Sequence, residues 1–121
     1  MLHNRVRLSQ RTSGRLDRVS KRLGIRKNLL CRVALLYSLE KGRIDETGLV
    51  ETDGLEFNLS TLFGSFTGVF VDMINMVQPD SNDENWTNYA NIHIERGVVT
   101  CNLMYPVFGM SRYSSEAYSE L

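Results

Sequence analysis

The side chains best placed to do chemistry in this 121-residue chain are its arginines. Residues 5–28, RVRLSQRTSGRLDRVSKRLGIRKN, hold nine of the fourteen Lys and Arg and a single acid, Asp17. Arg11, Arg15, Arg18 and Arg22 recur at i, i+4, i+7 and i+11, which on a helix is one stripe. Like charges at that spacing cost a helix roughly 0.2–0.5 kcal/mol per pair. A sequence that accepts the cost repeatedly has an anion to meet there. Arg5 and Arg7 alternate with Val6 and Leu8, so on a strand the two guanidiniums share a face. From that face Arg can reach guanine O6 and N7 in a major groove, or grip phosphates without reading bases. Lys21, Arg26 and Lys27 complete the basic set. The bland alternative is a solvated helix face, but such a face usually mixes signs.

Other chemistry has less behind it. His93 and Glu95, two apart, point away from each other on a helix, and His93 reads as a partly exposed helix residue. His3 has no partner at ligand spacing. Cys31 and Cys101 lie far apart in apolar surroundings and read as buried free thiols of a reducing, cytoplasmic compartment. Asp80, Asp83 and Glu84 lack the ligand order of a calcium loop. The sequence contains no nucleotide-binding glycine loop, no Ser or Cys in a nucleophile context and no paired helix histidines. No catalytic residue, metal site or cofactor is therefore expected. The enzyme alternative is magnesium-dependent DNA nicking, with Asp53, Glu56 and Glu95 as conceivable ligands.

Elements must position the arginines. Arg5–Leu8 suits a short strand, which needs a partner strand that a second subunit can supply. Ser9 or Thr12 can cap the next helix, whose apolar face is Thr12, Leu16, Val19 and Leu23, about 100° round from the arginine stripe. Gly24 ends it. Asn28 can cap a second helix, LLCRVALLYSLEK, apolar nearly all round and ending at Gly42; such a helix is central, buried by its own chain or by a second copy. Residues 43–58 read as loop, with turn signals at Asp53 and Gly54. One long helix is expected over 59–77, with Gly64 and Gly68 there for close packing. A polar, acidic loop with Pro79 follows, then a helix over 86–99. The Ser- and Tyr-rich end, 111–121, reads as a flexible tail.

These elements amount to one mainly α-helical domain over 1–110, with a basic part (4–42) and an acidic part (43–110). The 42% hydrophobic content is enough for a packed core, and no uninterrupted apolar run reaches membrane-spanning length, so no membrane association is expected. The formal net charge of zero conceals a division. Through Arg43 there are twelve bases and two acids; from Ile44 onward, two bases and twelve acids. Such a split points to nucleic acid, an anionic surface, or head-to-tail assembly in which the acidic part of one copy covers the basic part of the next.

A short strand followed by two helices is the plan of a ribbon-helix-helix module, in which two chains pair strands. The segments NRVRLSQRTSGRL, RLGIRKNLLCRVALLYSLEKG and DGLEFNLSTLFG, with the later HIERG, resemble the DndE family of DNA sulfur modification proteins. The resemblance runs in order from Asn4 to about Val77 and touches Ile92 to Gly97. It implies a mostly helical, ribbon-helix-helix-like core assembled as a homo-oligomer, a tetramer. It also implies binding of double-stranded, nicked DNA through basic surface residues, here Arg5, Arg7, Arg11, Arg15, Arg18, Lys21, Arg22, Arg26 and Lys27. Partner proteins of the same bacterial system would replace a phosphate oxygen by sulfur. Two departures stand out. This chain has Arg26 and Lys27 where the family often has a hydroxyl residue and Pro, and it continues some two dozen residues beyond HIERG. Two alternatives remain, a ribbon-helix-helix transcriptional regulator and a structural subunit that does not touch DNA.

Overall fold

The computed structural model describes residues 5–45 and 50–103, the last three by backbone alone. His3, the Cys101 side chain and the tail expected over 111–121 lie outside the described residues. The order is β1 (Arg5–Arg7), α1 (Gln10–Leu23), α2 (Lys27–Glu40), β2 (Glu56–Asn58), α3 (Leu59–Phe63), a 3-10 turn (Gly64–Phe66), α4 (Thr67–Val77) and α5 (Trp86–Leu103).

The partner of β1 comes from its own chain. β1 and β2 are antiparallel, with Val6 opposite Phe57, and both residues are buried while their neighbours face outward. The pairing continues beyond the strands, since Leu8 N–H donates to Leu55 C=O at 2.8 Å. Along the other edge the Asn91 amide of α5 donates to the Arg7 carbonyl at 2.7 Å. The end of the expected 43–58 loop is thus a strand. Its three-residue alternation, Glu56-Phe57-Asn58, is too short to stand out as a pattern. This pairing also joins the basic and acidic parts of the chain in one core.

α2 and α5 are the centre of that core and pack along much of their lengths. Their closest approach is at Gly97, where a Cβ would lie 1.8 Å from the Ala34 carbonyl oxygen, so no side chain fits. Around it lie Leu30, Leu35 and Cys31 of α2 and Ala90, Ile94 and Val98 of α5, all buried. Burial pushes the Cys31 thiol up to about 12, which keeps it protonated and inert. α1 buries Leu16 and Val19 against the same centre.

A buried polar network locks the far end of the pair. His93 is fully buried, not partly exposed: its Nδ1 is 2.7 Å from Ser38 Oγ and its Nε2 3.0 Å from Gln78 Oε1. Arg96 donates to Ser38 Oγ at 2.7 Å and to Gly42 C=O at 2.6 Å. These bonds place a cation from α5 on the carbonyl end of α2, where the helix dipole favours it. Burial lowers the Arg96 pKa; the guanidinium stays charged regardless. Burial first, then the Arg96 charge, hold His93 down at about 4.

The expected 59–77 helix is two helices. Gly64 has φ +58° and ψ −136°, a conformation that ends α3. The phenylalanines are not stranded by the break, because Phe63 and Phe70 stack across it with centroids 4.6 Å apart. Gly68 meets nothing within 4 Å, so intrachain packing is not its reason. By length and mean hydropathy, 1.2, the stretch Leu59–Val77 does match a membrane span. The turn at Gly64 and the insertion of Leu62, Phe63, Phe70 and Ile74 into the core give its apolarity another use. Asn28 is not the cap of α2 either. Arg26 holds that position in extended conformation without a side-chain cap bond, and the Asn28 amide instead donates to Thr61 C=O.

Two stability measurements test this centre. Gly97→Ala should lower the unfolding free energy by roughly 1–3 kcal/mol or more, read from the urea midpoint, because α5 must lift off Ala34. The unfolded chain takes up a proton on His93 below about pH 6.5, which the folded chain refuses until about pH 4. Stability held at neutral pH should therefore fall as the pH drops from about 6.5 to 4, by up to about 3 kcal/mol. His93→Gln should flatten that limb of the pH profile, and an unchanged limb would reject the assignment.

Candidate nucleic-acid interface

α1 carries the stripe because its ends are fixed. Ser9 is the N-cap, extended in conformation, and its Oγ accepts from Thr12 N–H at 3.0 Å. The turn before β2 adds a second cap, with Asp53 Oδ1 accepting from Gln10 N–H at 2.9 Å. Gly54 presses so closely on the Ser9 backbone that a Cβ there would lie 2.4 Å from the Ser9 carbonyl oxygen. Ser13 Oγ bridges the two segments, donating to Ser9 C=O and accepting from Leu55 N–H. At the other end Gly24 takes φ +66° and its N–H returns to Ser20 C=O. Thr12, Leu16 and Val19 turn inward, which leaves the arginine line facing out.

The nine basic residues do not stand alike. Arg11, Arg18, Arg22 and Arg26 are exposed and Arg15 is half-buried. Among the described residues Arg11, Arg15, Arg18 and Arg26 have no ion-pair partner. Asp17, about 100° round α1 from Arg18, lies 3.0 Å from both Lys21 and Lys27. Hydrogen bonds from the two ammoniums hold its carboxyl below the usual range. One carboxylate is thus shared by two lysines, and the cluster keeps a net charge of +1. Arg5 pairs with Glu56 at 3.5 Å, and Arg7 donates through Nε to the Gly54 carbonyl at 3.2 Å. Both strand arginines are exposed as expected, but each is engaged within the chain.

The first turn of α2 adds to the basic surface. It contains no acid, and no side chain caps it. Uncapped helix N–H groups beside Arg26 and Lys27 favour an oxyanion. Sequence reasoning missed this because Asn28 looked like a cap.

The acids conceivable as magnesium ligands are not brought together. Asp53 caps α1 and Glu56 holds Arg5. Glu95 lines a polar cleft of about 170 Å³ with Ser9, Arg11 and Glu51. Among the described residues no group of three His, Cys, Asp or Glu is placed to hold a metal ion.

No curated protein matches the chain in sequence. The solved structures supply similar folds. The crystal structure of DndE from Escherichia coli B7A, described as involved in DNA phosphorothioation modification, has a TM-score of 0.75 and 25% identity, covering 84% of this chain and 98% of that one. A mutant DndE involved in DNA phosphorothioation is similar in fold, with a TM-score of 0.72 and 24% identity over 83% of this chain and 98% of that one. The family model described as DNA sulphur modification protein DndE matches residues 5–105. Mainly helical, with a two-stranded sheet clamping the first helix, the chain belongs to the DndE family, whose members take part in DNA phosphorothioation.

Proposed function

We propose that this protein is a non-catalytic DNA-binding subunit of a bacterial, cytoplasmic phosphorothioation system, and that it grips the backbone of duplex DNA, nicked duplex included, while partner proteins insert sulfur. The observation that carries the reading is the line of Arg11, Arg15 and Arg18 on a helix capped at both ends, without an ion-pair partner among the described residues. A solvated face would spread its acids among such charges; here the one acid within α1 is taken by lysines. The same accounting disfavours a regulator that reads bases from the strand, since Arg5 and Arg7 are engaged. The ribbon-helix-helix likeness rests on the order of β1, α1 and α2.

Self-association fits an apolar surface on α2 and α4. Val33 and Leu36 of α2 and Val69 and Met76 of α4 are exposed, Met76 by 79%. A cleft of about 280 Å³ between the helices is lined by Leu36, Leu39, Glu40, Met73, Met76 and Val77. A second copy seated there would bury this face, and Gly68 on α4 would let a neighbouring backbone come close. A tetramer needs one further contact of this kind.

Binding is tested by fluorescence anisotropy with nicked, intact and single-stranded oligonucleotides of scrambled sequence at two salt concentrations. The wild type should bind the duplexes with a log-log salt slope of roughly −0.9 per phosphate contacted. Arg11→Glu, Arg15→Glu and Arg18→Glu together should cut the affinity at least tenfold across all sequences. A folded wild type that ignores DNA at low salt would leave the structural-subunit reading in its place. Self-association is tested by light scattering at micromolar concentration, where Leu36→Glu with Met76→Glu should lower the mass while leaving the circular dichroism unchanged.

A further inference from the structure

Gly14 has no evident use within the chain. It stands inside α1, more than a turn from either end, where glycine costs a helix more than any residue except proline. Its φ is not positive, unlike that of Gly64. No neighbour crowds it either, in contrast to Gly97. A Cβ at Gly14 would meet only the Arg18 Nη1, at an ordinary contact distance of 3.9 Å. The use that is left for a glycine on a helix surface is to let something from outside come close to the backbone. Its surroundings say what kind of group that is. By helical spacing Arg11 and Arg18 flank Gly14 on one side, and Gln10 and Asp17 on the other. Long side chains on a helix lean toward its N-terminus, and the lean of Arg18 brings its guanidinium beside the glycine. Arg18 is exposed and has no ion-pair partner among the described residues. Across the glycine, Asp17 is already shared by Lys21 and Lys27, in a cluster that keeps a net charge of +1. Arg26, exposed at the start of α2, adds to the surrounding positive surface.

From this arrangement, and resting on the DNA-binding reading above, we infer that Gly14 is the floor of a phosphate seat: one backbone phosphate of duplex DNA lies against α1 at Gly14, held by the Arg18 guanidinium, closer to the helix than a side chain there would permit. The planar fork of Arg18 matches the two non-bridging oxygens of a phosphodiester. A small free anion could meet that fork from the solvent side and would gain nothing from the missing side chain. A phosphate carried in a chain brings its two sugars with it, and these need the low surface. The seat therefore sets the depth to which the DNA backbone approaches α1.

The test sets stability against affinity, with urea unfolding for the first and anisotropy of a scrambled-sequence duplex for the second. Gly14→Ala should raise the urea midpoint, because alanine favours the helix and its Cβ has room. The same change should weaken duplex binding by about fivefold or more. Arg18→Ala should reduce the magnitude of the log-log salt slope by about 0.9, one phosphate's worth. On that background Gly14→Ala should cost less than about twofold, since the phosphate it displaces is no longer held. A Gly14→Ala protein that is more stable and binds the duplex as tightly as the wild type would overturn the inference while leaving DNA binding intact. A lowered urea midpoint would give the glycine a use in the fold and overturn it too, as would equal losses with and without Arg18. Inorganic phosphate, compared with chloride at matched ionic strength, distinguishes a free anion from a diester. It should displace the duplex no better than chloride does; an excess displacement that Gly14→Ala abolishes would make the seat a free-anion site. A folded wild type that does not bind the duplex at low salt would overturn the DNA reading itself, and the seat with it.

Discussion

The close contact of α5 with α2 at Gly97 is the constraint on which the rest of the structure depends. A Cβ at Gly97 would run into the Ala34 carbonyl, so the two helices touch backbone to backbone. One turn away, the same proximity lets Arg96 reach the Ser38 and Gly42 carbonyls and His93 reach Ser38. A helix that ends in the interior leaves several carbonyls without intrahelical partners. Here the neighbouring helix supplies the donors. His93 then joins this end to Gln78, whose side chain also bonds the backbone of Ile44 through both of its amide atoms. One buried network thus fixes the exit of α2, the chain that follows it and the end of α4. Because its members satisfy one another in low dielectric, loss of one leaves the others as buried, unpaired polar groups.

That centre is what gives the arginine line a fixed geometry. α1 lies against α2 and α5 through Leu16 and Val19, and the β1–β2 pair with the Gly54 turn clamps its first residues. A loose helix carrying the same four arginines would pay to be ordered each time it met a polyanion. The clamp has already removed that cost, and only side-chain freedom is left to lose. The acids of the second half of the chain contribute to this arrangement. Asp53 caps the helix, and Glu56 turns Arg5 aside.

Much of this was legible in the sequence, and what was not has physical reasons. The stripe and its apolar counterpart on α1 repeat four times, enough for a 3.6-residue period to show. The cap at Ser9 and the end at Gly24 follow from residue type. β2 was hidden because three alternating residues carry no period, and its identity as the partner of β1 depends on a contact some fifty residues away. His93 looked exposed because only the three-dimensional neighbours Ser38, Gln78 and Arg96 make a buried imidazole tolerable. Gly64 and Gly68 looked alike in sequence. One of them has a backbone angle that only glycine takes readily, and the other has open space. The engagement of Arg5, Arg7, Lys21 and Lys27 was likewise invisible. Every one of them is basic on paper, while the charge left over after intramolecular pairing depends on which acid the fold brings near.

This remainder also explains how a chain of zero formal net charge can present a cationic surface. At physiological ionic strength the screening length is about 8 Å, so a phosphate at the stripe responds to the arginines and to acids within that distance, hardly to the total. Of the acids with known places near α1, Asp17 and Glu56 are occupied by cations, Asp53 caps the helix at Gln10, and Glu51 and Glu95 line the cleft at the Arg11 end. The field along the stripe is therefore graded, strongest toward Arg15 and Arg18 and weakest at Arg11. As salt is lowered the screening length grows and the more distant acids begin to count, opposing the gain in affinity that counterion release alone would give. A uniformly basic protein has no such opposing term. The charge division thus concentrates positive potential along α1 and the first turn of α2, and tempers the long-range attraction that a uniformly basic surface would exert on a polyanion.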